Sequence, residues 1–259
     1  MKITDDILNP KKVEKIDKSY PHNFYLKRGK KELFYFGCDH IYQPTHPQFN
    51  QIKEEFLRFN PQLALWEGNG KKGDLSSEES AKKWGETSYL IWLTNKQGVK
   101  ESTLDVSKEK DIKFQLQHFP RELVYTFYCV RPLGTLKRQN PLATVDDVRS
   151  NLNNRIDYLK HVIPFDNFDY SIENLQKLFK EITGTELFLE ISQWRGKYTG
   201  PIAVDSKLDD ISRSSLKYRD IYAVETIIKG FKTYDRIFAL MGGLHAYAQE
   251  PALKKYFES

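Results

Sequence analysis

Residues 33–68 read LFYFGCDHIYQPTHPQFNQIKEEFLRFNPQLALWEG, and the fold is decided there. Leu33 to Phe36 form an apolar, aromatic run too short for a helix and closed by Gly37, which reads as a buried strand. In the segment that follows, Phe49, Ile52, Phe56 and Phe59 recur at helical spacing until Pro61 stops the pattern. Leu63 to Trp66 make a second apolar run that ends in Glu67-Gly68. Strand, helix and strand in this order make a βαβ unit, whose strands are parallel and whose crossover is right-handed.

The unit repeats outward. Ser76 with Glu79 three residues on is a capping-box pattern, and the helix it opens runs to Gln97, with Gly85 as a weak point and Gly98 as its stop. Residues 99–106 make a third strand ending near Asp105. Residues 120–130 mix helical spacing (Leu123, Phe127, Val130) with strand-forming residue types, and we read them as helix. Helical periodicity is clear from Thr144, through Val148, Leu152, Ile156 and Leu159, and again from Ile172 to Ile182. Residues 194–207 have glycines, a proline and no period, which suits a loop or lid. A long helix over 209–229, a strand over 236–240 and a closing helix over 246–257 complete the chain. The expected fold is therefore α/β, with three layers, a central, mostly parallel sheet and flanking helices. Residues 1–259 form a single domain in this reading, with 107–207 a largely helical insertion.

Composition narrows the function. With 40 Lys plus Arg against 35 Asp plus Glu, the net charge of +5 is mild and dispersed, so no nucleic-acid footprint is expected. Lys11, Lys12, Lys15 and Lys18 alternate with acidic residues, as on a solvated surface. Cys38 and Cys129 are far apart and lack metal-ribbon or disulfide spacing, which fits a reducing compartment. No secretory leader is apparent, and no run approaches the roughly 18 apolar residues of a membrane span. A cytoplasmic protein without a membrane anchor is expected.

The chemistry gathers at strand ends. In a parallel sheet, ligands bind outside the carboxyl ends of the strands. His40, Glu67, Asp105 and His245 each stand at or just past such an end, and they should share one rim. A glycine stands three residues before each histidine, and would permit a positive φ or a close backbone approach that aims the imidazole. Two imidazoles and one or two carboxylates suit a divalent metal or, equally, metal-free acid–base work. Cys38 reads as a small packed residue rather than a thiolate ligand or nucleophile, and Asp39 as a cap for the following helix rather than an additional ligand. His22, His46, His118 and His161 have no such setting. Tyr42, Trp66, Trp84, Trp92 and Trp194 suit core packing better than stacking on a ligand.

Gly37-Cys38-Asp39-His40 and Gly242-Gly243-Leu244-His245, with Glu67 between them and Arg219-Asp220 in the helix before the second motif, resemble the TraB and TIKI family. That family lies within the erythromycin esterase and ChaN-like superfamily. The resemblance covers roughly residues 33–105 and 209–257. It implies a three-layer α/β fold and metal-dependent hydrolysis, with His40, Glu67 and His245 holding a divalent ion (Mn, Co or Zn). Arg219 would join these three in catalysis, and Glu86, Asp105, Arg213 and Asp220 would face a peptide or small-molecule substrate. The superfamily also contains macrolide esterases and haem binders. The alternatives are therefore a non-catalytic haem- or small-ligand-binding protein, or a peptide-sequestering regulator. TraB and TIKI proteins are commonly membrane-associated, whereas no membrane anchor is expected in this chain.

Overall fold

The computed structural model describes residues 3–41, 43–68, 77–202 and 206–259. Ser76 and Tyr42 lie outside them. The chain divides into two compact units, residues 1–106 with 217–259, and residues 107–216.

The first unit is built on a five-stranded sheet. Its elements are α1 (Pro10–Glu14), β1 (His22–Arg28), β2 (Lys31–Cys38), α2 (Gln48–Phe59), β3 (Leu63–Trp66), α3 (Glu78–Lys83), α4 (Glu86–Gln97) and β4 (Lys100–Thr103). The strand order is β1-β2-β5-β3-β4, where β5 is Arg236–Gly242, and every pairing except β1 with β2 is parallel. Helix α10 (Gly243–Glu258) closes the chain.

Alternation along the strands assembles the three layers, because successive side chains point to opposite faces. Leu33, Tyr35, Leu63, Leu65, Ile237, Ala239 and Met241 pack with Ala223, Val224 and Ile227 and with Ala246, Ala252 and Leu253 of α10. Phe34, Phe36, Ala64, Trp66, Phe238 and Leu240 face the other way, onto Phe49, Ile52 and Phe56 of α2 and Tyr89 to Ile91 of α4. The α/β expectation with helices on both faces holds.

Several boundaries differ from expectation. Strand β1 was not anticipated, although it pairs with the whole of β2 across a tight turn in which Gly29 adopts a φ of 57°. Gly37 lies inside β2 rather than ending it, and α10 begins at Gly243, so His245 stands in a helical first turn. The expected single helix after β3 is two helices, because Gly85, at φ 88°, breaks the backbone between α3 and α4. No residue caps α2 from Asp39, since its N-cap is Pro47.

Gly37 also resolves what the first of these glycines does. Its φ is not positive. A Cβ there would lie 2.5 Å from both Ala246 Cβ and the His22 carbonyl oxygen, so the residue lets α10 and β1 approach β2 closely. Gly37→Ala is expected to lower unfolding free energy by about 1–3 kcal/mol, since neither obstructing atom is the end of a flexible side chain. Urea denaturation measures it, and an unchanged midpoint would show that α10 is less tightly seated.

The second unit is helical. Helices α5 (Lys108–Leu116), α6 (Arg121–Gln139), α7 (Val145–Val162) and α8 (Ile172–Thr183) enclose a core that includes Ile112, Val124, Phe127, Leu152, Ile156, Leu175, Phe179 and Trp194. Residues 120–130 are helical, as read. Helix α9 (Lys207–Gly230) contributes its first residues to this unit and the rest to the sheet unit. The loop expected over 194–207 includes a 3-10 turn at Gly196–Thr199, and its residues 203–205 lie outside the described set. No helix among the described residues is long and apolar enough to cross a membrane.

Candidate functional site

The carboxyl ends of β2, β3 and β5 bring His40, Glu67 and His245 to one edge of the sheet unit. Glu67 follows β3 directly, and its backbone N–H donates to the Leu240 carbonyl of β5 at 2.9 Å. Its Oε2 accepts from the Gly242 N–H at 2.6 Å, and its Oε1 accepts from an Arg219 Nη at 2.7 Å. His245 Nε2 lies 3.5 Å from the same Oε1. A Cβ on Gly242 would stand 2.9 Å from His40 Nε2 and 3.2 Å from Glu67 Oε2, so a larger residue would intrude between them. Neither Gly242 nor Gly243 has a positive φ; close approach is again the reason for glycine.

Each imidazole is held from behind. His245 Nδ1 is 2.6 Å from Asp220 Oδ1, and Asp220 is only 2% exposed. His40 Nδ1 is 2.6 Å from Glu86 Oε1, the carboxyl of a buried residue in the first turn of α4. The His40 side chain is itself 50% exposed, so this imidazole meets solvent while His245 is enclosed. A carboxylate on one ring nitrogen sets the orientation of the ring and presents the other nitrogen, as it does for metal-ligand and general-base histidines.

Opposite charges are paired within the cluster. Arg219 Nε donates to Asp105 Oδ1 at 2.8 Å and an Nη donates to Asp105 Oδ2 at 3.0 Å, while another bond reaches Glu67. Burial disfavours the guanidinium charge, yet Asp105 and Glu67 hold it firmly protonated. Burial alone would raise the Glu67 carboxyl, but His245, Arg219 and His40 hold it well below the usual carboxylate range. Burial opposes a charge on His245 as well, and Asp220 with Glu67 outweighs it, pushing the imidazole up to about 9. The Glu86 hydrogen bond raises the basicity of His40, against the effect of burial. Burial, with Glu86 and Glu67 nearby, keeps the Cys38 thiol protonated, which suits the packed residue expected there.

The residues expected to face a substrate have partners within the protein. Asp105 is taken up by Arg219 and by the Gly68 N–H at 2.8 Å, so it positions the guanidinium. Asp220 is sealed behind His245, and Glu86 behind His40. Arg219, expected to join in catalysis, bonds Glu67 and Asp105 through its Nε and an Nη. Arg213 belongs to the helical unit and pairs with Asp210.

Sequence reading missed two supporting residues. Gln249 donates to Asp220 at 2.6 Å and accepts from Tyr35 Oη at 2.9 Å, completing the buried chain behind His245. It sits four residues after His245 on α10, and that helical spacing is the signal that could have found it. Gln48 clamps the backbone of Asp39 with two 2.8 Å bonds, fixing the turn that carries His40. The bland readings of the other histidines fit: His118 and His161 bond carbonyls one helical turn back, His46 meets the Gln48 N–H, and His22 stacks on Tyr247 and pairs with Glu250. Trp66 and Trp194 are buried in separate cores, as expected, whereas Trp84 is 44% exposed and not a core residue.

No family model, curated protein or solved structure matches the chain.

Proposed function

We propose that the chain is a metal-assisted hydrolase of TraB/TIKI-like type, acting on a peptide, ester or amide bond. One observation carries the reading: both imidazoles are tied at Nδ1 to buried carboxylates, which leaves both Nε2 atoms beside the single carboxylate of Glu67. Two imidazole nitrogens and a carboxylate, with further carboxylates behind the rings, are the donor types of a divalent-ion site for Mn, Co or Zn. When bound, such an ion polarises a carbonyl and makes water acidic enough to attack near neutrality.

The chain's own residues have distinct tasks in this reading. Glu86 and Asp220 fix the rings, and Arg219 keeps Glu67 ionised by neutralising it from the side. Asp105 holds Arg219 in place. Exposed His40 is the group best able to meet substrate or exchange a proton with it. That exposure also favours a second reading, in which the His40–Glu86 pair is the general base and no metal takes part.

Elemental analysis with turnover assays on aryl esters and an unstructured peptide mixture tests both. Close to one metal per chain in the wild type, with loss of at least about a hundredfold of the activity in His245→Ala, is the expected result. Turnover that persists without metal and falls only in His40→Ala and Glu86→Gln would select the metal-free base. Absence of both metal and turnover would overturn the hydrolase reading.

A further inference from the structure

His40 also belongs to a second constellation. Glu86 Oε1 lies 2.6 Å from His40 Nδ1 and 3.6 Å from Cys38 Sγ, and one donor atom from each residue falls within 4.8 Å of the other two. Cys38 ends β2, His40 follows in the Gln48-clamped turn, and Glu86 opens α4. Thiol and carboxyl are buried, whereas the imidazole is half exposed, so the cluster is closed by protein at one side and reachable from solvent at the other. A thiol, an imidazole and a carboxyl in mutual reach are a donor set of the zinc type.

We propose that Cys38 Sγ, His40 Nδ1 and Glu86 bind a thiophilic divalent cation of the zinc class, at a centre separate from the one formed by Glu67, His245 and His40 Nε2. The sulfur ligand selects zinc or cobalt over manganese or magnesium. Ordinary bond lengths of about 2.0–2.3 Å to nitrogen, oxygen and sulfur require donor atoms to stand farther apart than His40 and Glu86 do now. Rotation of the exposed imidazole supplies that spacing. Binding forms Sγ–metal, Nδ1–metal and carboxylate–metal bonds, releases the thiol proton to solvent, and involves no oxidation or reduction. It also leaves the ring proton on Nε2. His40 then serves neither as a ligand nor as a base through that nitrogen, so the two uses of His40 exclude each other. The site itself does not depend on the hydrolase reading.

Cobalt(II) titration of chelator-treated protein tests this, read by the near-ultraviolet thiolate-to-cobalt charge-transfer band. The band is expected in the wild type, in Cys129→Ser and in His245→Ala, with loss in Cys38→Ser and displacement of cobalt by zinc. No band at saturating cobalt in folded wild type, or a band that survives Cys38→Ser, would overturn the site. A band lost equally in His245→Ala would overturn the separation of the two centres. Cobalt visible bands without charge transfer, removed by His245→Ala, would sink this site while leaving the hydrolase's metal arrangement intact.

Discussion

Arg219→Leu is expected to lower unfolding free energy by about 3–5 kcal/mol. The guanidinium is the direct partner of two largely buried carboxylates, Glu67 and Asp105, and it spans them with a forked contact. Removing it leaves two like charges in a poorly solvated place, with His245 as the remaining cation that contacts either of them among the described residues. Arg219→Lys should lie between wild type and leucine, because an ammonium lacks the planar fork. Adding Asp105→Asn to Arg219→Leu should recover part of the loss, since the second uncompensated charge is then gone. Urea denaturation at neutral pH gives all three values. A cost below about 1 kcal/mol for leucine would mean that water reaches these carboxylates and that the cluster is not the enclosed centre described.

Stability is also expected to fall as pH rises from about 6.5 to about 9, by on the order of 3 kcal/mol, through His245 alone. The sign follows from the direction of the shift. The folded-state imidazole titrates near 9, above the ordinary histidine value of 6.5, because Asp220 and Glu67 outweigh the effect of burial. The folded protein therefore binds a proton that the unfolded chain has already lost over this window. The stabilisation is complete below the unfolded value and disappears as pH passes the folded one. Denaturation curves from pH 6 to 9.5 should show this slope in the wild type and a much flatter one in His245→Gln. A nitrogen-15 titration of the ring reports the same event directly, and a midpoint below 7 would contradict the Asp220–His245–Glu67 arrangement. Metal at Nε2 must displace this proton, so metal affinity should climb over the same range.

Much of the frame was legible because local spacing reports burial. Phe49, Ile52, Phe56 and Phe59 mark one face of a helix, and the two-sided apolar runs of β2, β3 and β5 mark strands covered on both faces. Strand β1 escaped notice since it is an edge strand, half polar, with Lys27 and Arg28 leading into its turn. Its partner register with β2, rather than its own composition, makes it a strand. The early start of α10 escaped for a related reason: Gly242-Gly243 reads as a loop, and only the close approach of Tyr20 and His40 to these positions explains glycine there.

The site divides in the same way. His40, Glu67 and His245 could be picked from sequence, because each follows an apolar run, and the ends of parallel strands converge by topology. The pairings that give them chemistry were out of reach. Asp220 and Gln249 meet behind His245, Glu86 meets His40, and Asp105 holds Arg219, each across long separations in the chain. Sequence alone determined β2, β3, β5 and most of the helices, and that His40 and Glu67 follow strands, since those depend on neighbours within a turn or two. Tertiary structure alone decided which carboxylate serves which cation, because that depends on how helices seat on the sheet to within an ångström, and hydrogen bonds and desolvated charges are sensitive at that scale.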